Sequence, residues 1–351
     1  MRKGLIQTFK FIVFLIIGVT LLWLAFRNVE FKKLVEGLKE ADYRWVLLSI
    51  LFGFFAYLSR TRRWIILINP LGHKPGFSNT FYSMMTGYLA NLALPRIGEI
   101  TRCVALGKKE KIPVDQLIGT VVVERTIDFL SLMAIMIALI FMRGEQINQF
   151  LKVSIFIPLR EKVFSLFGFT WIIWVIIIAV VFLSVFFLIK YRKKLRKSRF
   201  FSKTFDLARG VINGLKTITN LQRKWEFIFH TVFIWINYTL MTWVVVFAIE
   251  PTSHLTLGDS VFLLVIGGLA MSAPVQSGLG AFHYIISRGL AFVEGVKIED
   301  GLVYAFLTHE SQMLFIIIVG FISFYMIYKT HNSIKGAKSE QGLNPPSGGP
   351  G

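Results

Sequence analysis

Phe227-Ile-Phe-His-Thr-Val-Phe-Ile-Trp-Ile-Asn-Tyr-Thr-Leu-Met-Thr-Trp-Val-Val-Val-Phe-Ala-Ile249 contains no Asp, Glu, Lys or Arg. About twenty mostly apolar residues wound as a helix cross the hydrocarbon core of a bilayer, so this stretch is long enough to span. Comparable runs occupy 7–26, 43–59, 119–142, 169–190 and 302–328. Two more apolar stretches are interrupted: 77–94 ends at Leu94-Pro95-Arg96, and 258–293 is broken by Ala273-Pro-Val-Gln-Ser-Gly-Leu-Gly280. Only 17% of the 351 residues are charged, against about a quarter in a soluble domain. The runs therefore outweigh the length-based expectation of two soluble domains.

The expected fold is an all-α integral membrane protein with about six full transmembrane helices and two re-entrant or broken-helix elements. An alternative count is eight spans. The membrane domain is expected over 1–330, with 331–351 a disordered cytoplasmic tail rich in Gly and Pro. The run 7–26 is too long for a signal-peptide core and lacks a small-residue cleavage site, so it reads as an uncleaved first span. Residues 27–42 read as an outer interfacial helix, 143–168 as the longest outer loop, and 200–224 as a cytoplasmic amphipathic helix.

Basic residues set the orientation. Arg2 and Lys3, then Arg60, Arg62 and Arg63, then the block Lys190–Arg199, then Lys329, Lys335 and Lys338 all mark the cytoplasmic side. The segment 250–260 has Glu250 and Asp259 but no Lys or Arg, which suits the outside. Crossings between two inner landmarks must be even. Between Arg63 and Lys190 two full spans satisfy this, so 77–118 must return to its own side. The same count between Arg199 and Lys329 makes 258–293 return to its own side. The two interrupted stretches thus enter from opposite faces of an inner membrane, with both termini cytoplasmic. Corresponding broken segments in two halves are a sequence pointer to a transporter's site. They raise an inverted repeat as a topological idea, although no internal sequence repeat accompanies it.

The net charge of +19 would ordinarily raise nucleic-acid binding. Here the cations flank apolar runs, where topology and anionic lipid account for them, so no nucleic-acid partner is expected. The single cysteine, Cys103, excludes an intrachain disulfide and a cysteine-based zinc site.

Three constellations stand out. In Asn91-Leu-Ala-Leu-Pro95-Arg96-Ile-Gly98-Glu99-Ile-Thr-Arg102, a helix beginning after Pro95 would put Arg96, Glu99 and Arg102 one turn apart. Glu99 would pair with one arginine and leave the other guanidinium to clamp a phosphate. The plainer alternative is a surface loop with solvated charges. In Gly119-Thr-Val-Val-Val-Glu124-Arg125-Thr-Ile-Asp128, three ionisable residues interrupt a span. Arg125 reaches Asp128, and the remaining negative charge is available to Arg96 or Arg102. A self-neutralising structural knot is an equally good account. In Pro274-Val-Gln276-Ser277-Gly278-Leu-Gly280-Ala-Phe-His283, glycines allow unusual backbone, and the following helix would aim its positive end at an anionic group. His283 alone is better read as a packing residue; His309, Glu310 and Gln312 are polar residues expected nearby.

The chain has no Walker A loop, no HExxH and no nucleophile elbow. No ATPase chemistry, cofactor, metal site or catalytic residue set is expected.

Leu94-Pro-Arg-Ile-Gly-Glu-Ile-Thr-Arg102, Val122-Val-Glu-Arg-Thr-Ile-Asp128 and Pro274-Val-Gln-Ser-Gly-Leu-Gly280 together resemble the transmembrane family of lysylphosphatidylglycerol synthases, flippase-like membrane proteins, over about residues 5–330. His283 and the pair Gln276-Ser277 depart from that family's usual pattern. The resemblance implies a domain that handles lipids. In bifunctional members such a domain moves aminoacylated lipid between leaflets while a separate soluble domain does the aminoacyl transfer. That soluble domain is not expected in this chain.

The expected function is translocation or binding of a lipid with an anionic or sugar-bearing head group. Two alternatives are a membrane transferase using Glu99 or Asp128 as base, and a non-transporting partner of a soluble glycosyltransferase or synthase. The oligomeric state is left open by the sequence.

Overall fold

The computed structural model describes residues 31–94, 96–151, 221–272, 275–292 and 296–341, with Ile16, Val19, Thr20, Trp23 and Ile157. Expectations for most of 7–26, for 169–190, for the block 190–199 and for most of 200–224 lie outside the described residues. The chain forms two compact units, Met1–Glu124 with Leu221–Gly351, and Arg125–Asn220.

The described residues are helical, with no strand among them. The helices are α1 (Phe31–Glu40), α2 (Tyr43–Ile68), α3 (Phe77–Ala93), α4 (Gly98–Glu110), α5 (Val114–Leu151), α6 (Lys224–Val244), α7 (Leu257–Met271), α8 (Ala281–Phe292) and α9 (Ile298–Gln341). Among the described residues, three helical stretches are long and apolar enough to cross a membrane: Val114–Met142, Lys224–Ala248 and Ile298–Ile327. A fourth is reached if the bent pair Lys32–Glu40 and Tyr43–Leu71, at 79°, is one span.

Three element boundaries differ from the sequence expectation. The apolar run 43–59 ends before its first arginine, yet α2 continues to Ile68 and buries Arg60 and Arg63. Ion pairing inside the fold, described below, removes the cost that hydropathy assigns to those charges. The expected outer loop 143–168 begins as helix, since α5 runs to Leu151. The expected tail 331–351 also begins as helix, since α9 runs to Gln341. No proline interrupts the chain there before Pro345, and residues 342–351 lie outside the described residues.

In the first unit, α2 and α6 pack antiparallel. Ser49 Oγ donates to Met241 O at 2.9 Å, Ser59 Oγ meets His230 Nδ1 at 2.8 Å, and Arg62 Nε meets Glu226 Oε1 at 2.6 Å. Aromatic contacts fasten α9 beside α2, with Phe315 stacked on Tyr57 at 5.9 Å between ring centroids. Tyr304 Oη donates to Thr242 O at 2.7 Å. A buried cluster of Trp64, Ile68, Cys103, Leu106, Ile112, Leu117 and Val121 joins α2, α4 and the start of α5.

The two interrupted apolar stretches fold as helical hairpins. In the first, α3 and α4 lie antiparallel. Their ends meet where Asn79 Nδ2 donates to Glu110 Oε1 at 2.6 Å, and their tip closes where Gly98 N donates to Asn91 Oδ1 at 2.7 Å. Backbones approach closely at Gly87 and Gly98: a methyl on Gly87 would sit 2.7 Å from Gly98 O. In the second, α7 and α8 lie antiparallel, with Gly267 against Phe282 and Gly289 against Ile266.

Candidate functional site

The tips of the two hairpins touch. Arg96 Nη2 donates to Ser272 O at 3.3 Å, and Ser277 Oγ donates to Asn91 O at 3.4 Å. Both tips carry unusual backbone. Arg96 (φ 63°) and Ser277 (φ 46°) are non-glycine residues in the left-handed region, beside Gly278 and Gly280, both at φ 76°. Such conformations cost energy for a side-chain-bearing residue and persist only where surrounding contacts enforce them. Each tip also opens a helix, α4 at Gly98 and α8 at Ala281, so two positive helix ends begin there. Pro95 and Pro274 lie outside the described residues, and Gln276 is described only as part of the turn Gln276–Gly278.

One turn into α4 the chain buries a charge cluster. Glu124 on α5 is 0% exposed. Its Oε2 accepts from Arg102 Nη2 at 2.9 Å, and its Oε1 faces Arg60 Nη1 at 3.3 Å and Arg63 Nη2 at 3.5 Å. All three arginines are buried. Arg60 Nε donates to Tyr238 Oη at 2.6 Å, and Arg60 Nη1 approaches Tyr88 Oη at 3.4 Å. The Arg102 guanidinium lies 4.6 Å from the Trp64 ring centroid, a cation–π distance, and Trp64 Nε1 donates to Thr120 Oγ1 at 2.9 Å. Among the described residues, all three guanidinium groups approach this carboxylate. Arg102 keeps Nε and Nη1 buried with no hydrogen-bond partner among the described residues. Buried charge-bearing donors left unmatched are costly, so this geometry is suited to a second anion.

The expected pairing of Glu99 with Arg96 or Arg102 does not occur among the described residues. Arg96 lies outside the helix, exposed, and Arg102 turns to Glu124. Glu99 Oε2 is buried without a hydrogen-bond partner. Arg125 and Asp128 fall in the second unit, where Arg125 Nη2 lies 3.7 Å from Asp128 Oδ2. Arg60 and Arg63 join the cluster although the sequence marks them only as orientation signals, because they follow an apolar run. Their spacing of one helical turn was the available clue.

A second polar cluster sits behind the α7–α8 tip. His309 on α9 lies with Nε2 2.9 Å from Ser277 O and Nδ1 2.9 Å from Glu310 Oε1. His283 Nε2 is 3.4 Å from the same Glu310 oxygen. Gln312, one turn beyond His309, is buried with both amide atoms lacking partners among the described residues.

A membrane protein of Methanocaldococcus jannaschii, described as a UPF0104 membrane protein, is 28% identical over 126 residues. That match covers 35% of this chain and 38% of the relative. No solved structure matches the chain. Residues 11–320 match the family described as the lysylphosphatidylglycerol synthase TM region. This helical, multi-pass membrane chain belongs to that family.

Proposed function

We propose that the protein binds and translocates a lipid with an anionic head group, and that the buried cluster of Arg60, Arg63, Arg102 and Glu124 receives that group. The carrying observation is the Arg102 guanidinium, buried with two donor atoms free of partners among the described residues. A phosphate offers the oxygens those donors lack, and a planar guanidinium binds phosphate oxygens in pairs. Glu124 acts in this reading as the resident anion that keeps three arginines soluble in the fold until the head group arrives.

The hairpin tips support the same reading. Broken helices whose positive ends converge are used by transporters to hold anionic groups at membrane depth, and irregular backbone there requires protein or water around it. Arg96, Ser277 and the Gly278–Gly280 turn lie at that junction and would contact the lipid on its path. Opposite entry of the two hairpins, cytoplasmic termini and an inner-membrane location complete the proposal. The family membership supports a role with lipids.

The test is native mass spectrometry of lipids retained by the purified protein, paired with a leaflet-exchange assay in vesicles containing anionic lipid. Arg102→Gln is expected to lose the retained anionic lipid and to slow exchange roughly tenfold or more, the scale of one charge-assisted hydrogen bond. Unchanged retention and exchange in a folded Arg102→Gln protein would overturn the reading. Chemical conversion of the labelled lipid, without movement, would favour a transferase instead.

A further inference from the structure

We infer that His283, His309 and Glu310 form a binding site for one divalent transition-metal cation of the zinc class, placed where it braces the tip of the α7–α8 hairpin. One ligand atom from each of the three falls within 4.8 Å of the other two. A tetrahedral ion with bonds near 2.1 Å separates its ligands by about 3.4 Å. The observed separations of 2.9 Å from His309 Nδ1 to Glu310 Oε1 and 3.4 Å from His283 Nε2 to that oxygen reach this with small side-chain adjustments.

The protons of His309 carry the argument further. Its two ring nitrogens both face acceptors: Ser277 O is a backbone carbonyl, and Glu310 Oε1 belongs to a carboxylate. A neutral imidazole has one N–H and can satisfy only one of them. In the tautomer with Nε2–H on the carbonyl, Nδ1 presents its lone pair beside a carboxylate oxygen, the donor pair that a metal cation takes. A metal ligand histidine habitually fixes its other ring N–H on a backbone carbonyl or carboxylate, and here Ser277 O supplies that support.

Imidazole and carboxylate ligands together suit zinc and its neighbours in the first transition row better than calcium or magnesium, which prefer oxygen alone. His283 and His309 are buried, while the Glu310 side chain is 36% exposed. Glu310 therefore marks the open side, where water or a further ligand completes the shell. Bound there, the ion is joined through the His309 ring to the Ser277 carbonyl, and the Ser277 hydroxyl reaches Asn91 of the other hairpin. The site is independent of the arginine cluster.

The experiment uses the full chain purified in detergent without a histidine tag. Metal content is measured by inductively coupled plasma mass spectrometry. The protein is then stripped with chelator and titrated with Zn²⁺ and, separately, Mn²⁺ while its thermal unfolding is followed. The expected result is about one metal ion per chain, or a saturable rise in melting temperature with one equivalent of Zn²⁺. Glu310→Gln and His309→Gln are expected to weaken binding by roughly tenfold or more. Stripped wild-type protein that neither holds nor responds to either metal would overturn the inference. Undiminished affinity in Glu310→Gln would overturn it as well. The wild-type measurement decides even where a histidine variant fails to fold.

Discussion

At the residue scale, Glu124 and Arg102 are both buried and bonded to each other, yet removing each should have different consequences. Glu124→Gln withdraws the carboxylate that Arg60, Arg63 and Arg102 all approach. A buried ion pair broken from one side costs about 3–5 kcal/mol, so Glu124→Gln should lower the melting temperature in detergent sharply. Arg102→Gln leaves Glu124 with two arginines and removes donors that had no partner among the described residues. It should be the milder of the two in stability and the more severe in lipid retention. Equal destabilisation by both variants would make the cluster a structural knot rather than a binding site. The sequence pointed to Glu124 and Arg102 because charges inside apolar runs are conspicuous. It did not point to Arg60 and Arg63, since a charge at the end of a run looks the same whether it faces water or a buried partner. Only the continuation of α2 to Ile68 separates the two cases.

At the element scale, the first hairpin depends on how near α3 and α4 come. A methyl group on Gly98 would collide with Gly87 O and with the Asn91 side chain, 2.6 Å from its Cγ. Both are parts of the tip closure, so neither can yield without opening it. Gly98→Ala should therefore destabilise the protein by about 1–3 kcal/mol, the usual cost of overpacking. Gly119, within α5, has nothing within 4 Å of the same added atom. Gly119→Ala should leave stability unchanged or raise it by up to about 1 kcal/mol, because alanine loses less backbone freedom in a helix. Denaturation in graded detergent mixtures compares the pair. The interruptions at Pro95 and at Gly278-Leu-Gly280 were legible because Pro and Gly break helices for local reasons. The contacts from Arg96 to Ser272 and from Ser277 to Asn91 were not. They join residues far apart in the chain, and no local pattern encodes them.

At the scale of the whole molecule, parity of crossings and the geometry of the hairpins bear on the same arrangement and can be tested together. Arg60 and Arg63, two of the inner landmarks, are buried. The inner landmark is instead the base of the first hairpin, where Lys74 precedes α3 and Lys108, Lys109 and Lys111 close α4. Four lysines at one end of a hairpin favour the cytoplasmic side by the same positive-inside preference. The base of the second hairpin is bounded by Thr256, which caps α7, and by Lys297 before α9. If the hairpins enter from opposite faces, their bases lie on opposite sides of the membrane while their tips touch. With Cys103, the single native cysteine, replaced by serine, Lys111→Cys should react with an impermeant maleimide only from the cytoplasmic side. Lys297→Cys should react from the outside. In the double variant Asn91→Cys/Ser277→Cys, a short bifunctional thiol reagent should join the two tips within one chain. Labelling of both bases from one side, with the tips still joined, would reject opposed entry while keeping the fold. Bases on opposite sides with tips that cannot be joined would mean two full helix pairs that do not meet in the membrane. Opposed entry requires both results at once, because the proposed lipid path would need two half-depth elements that share one junction.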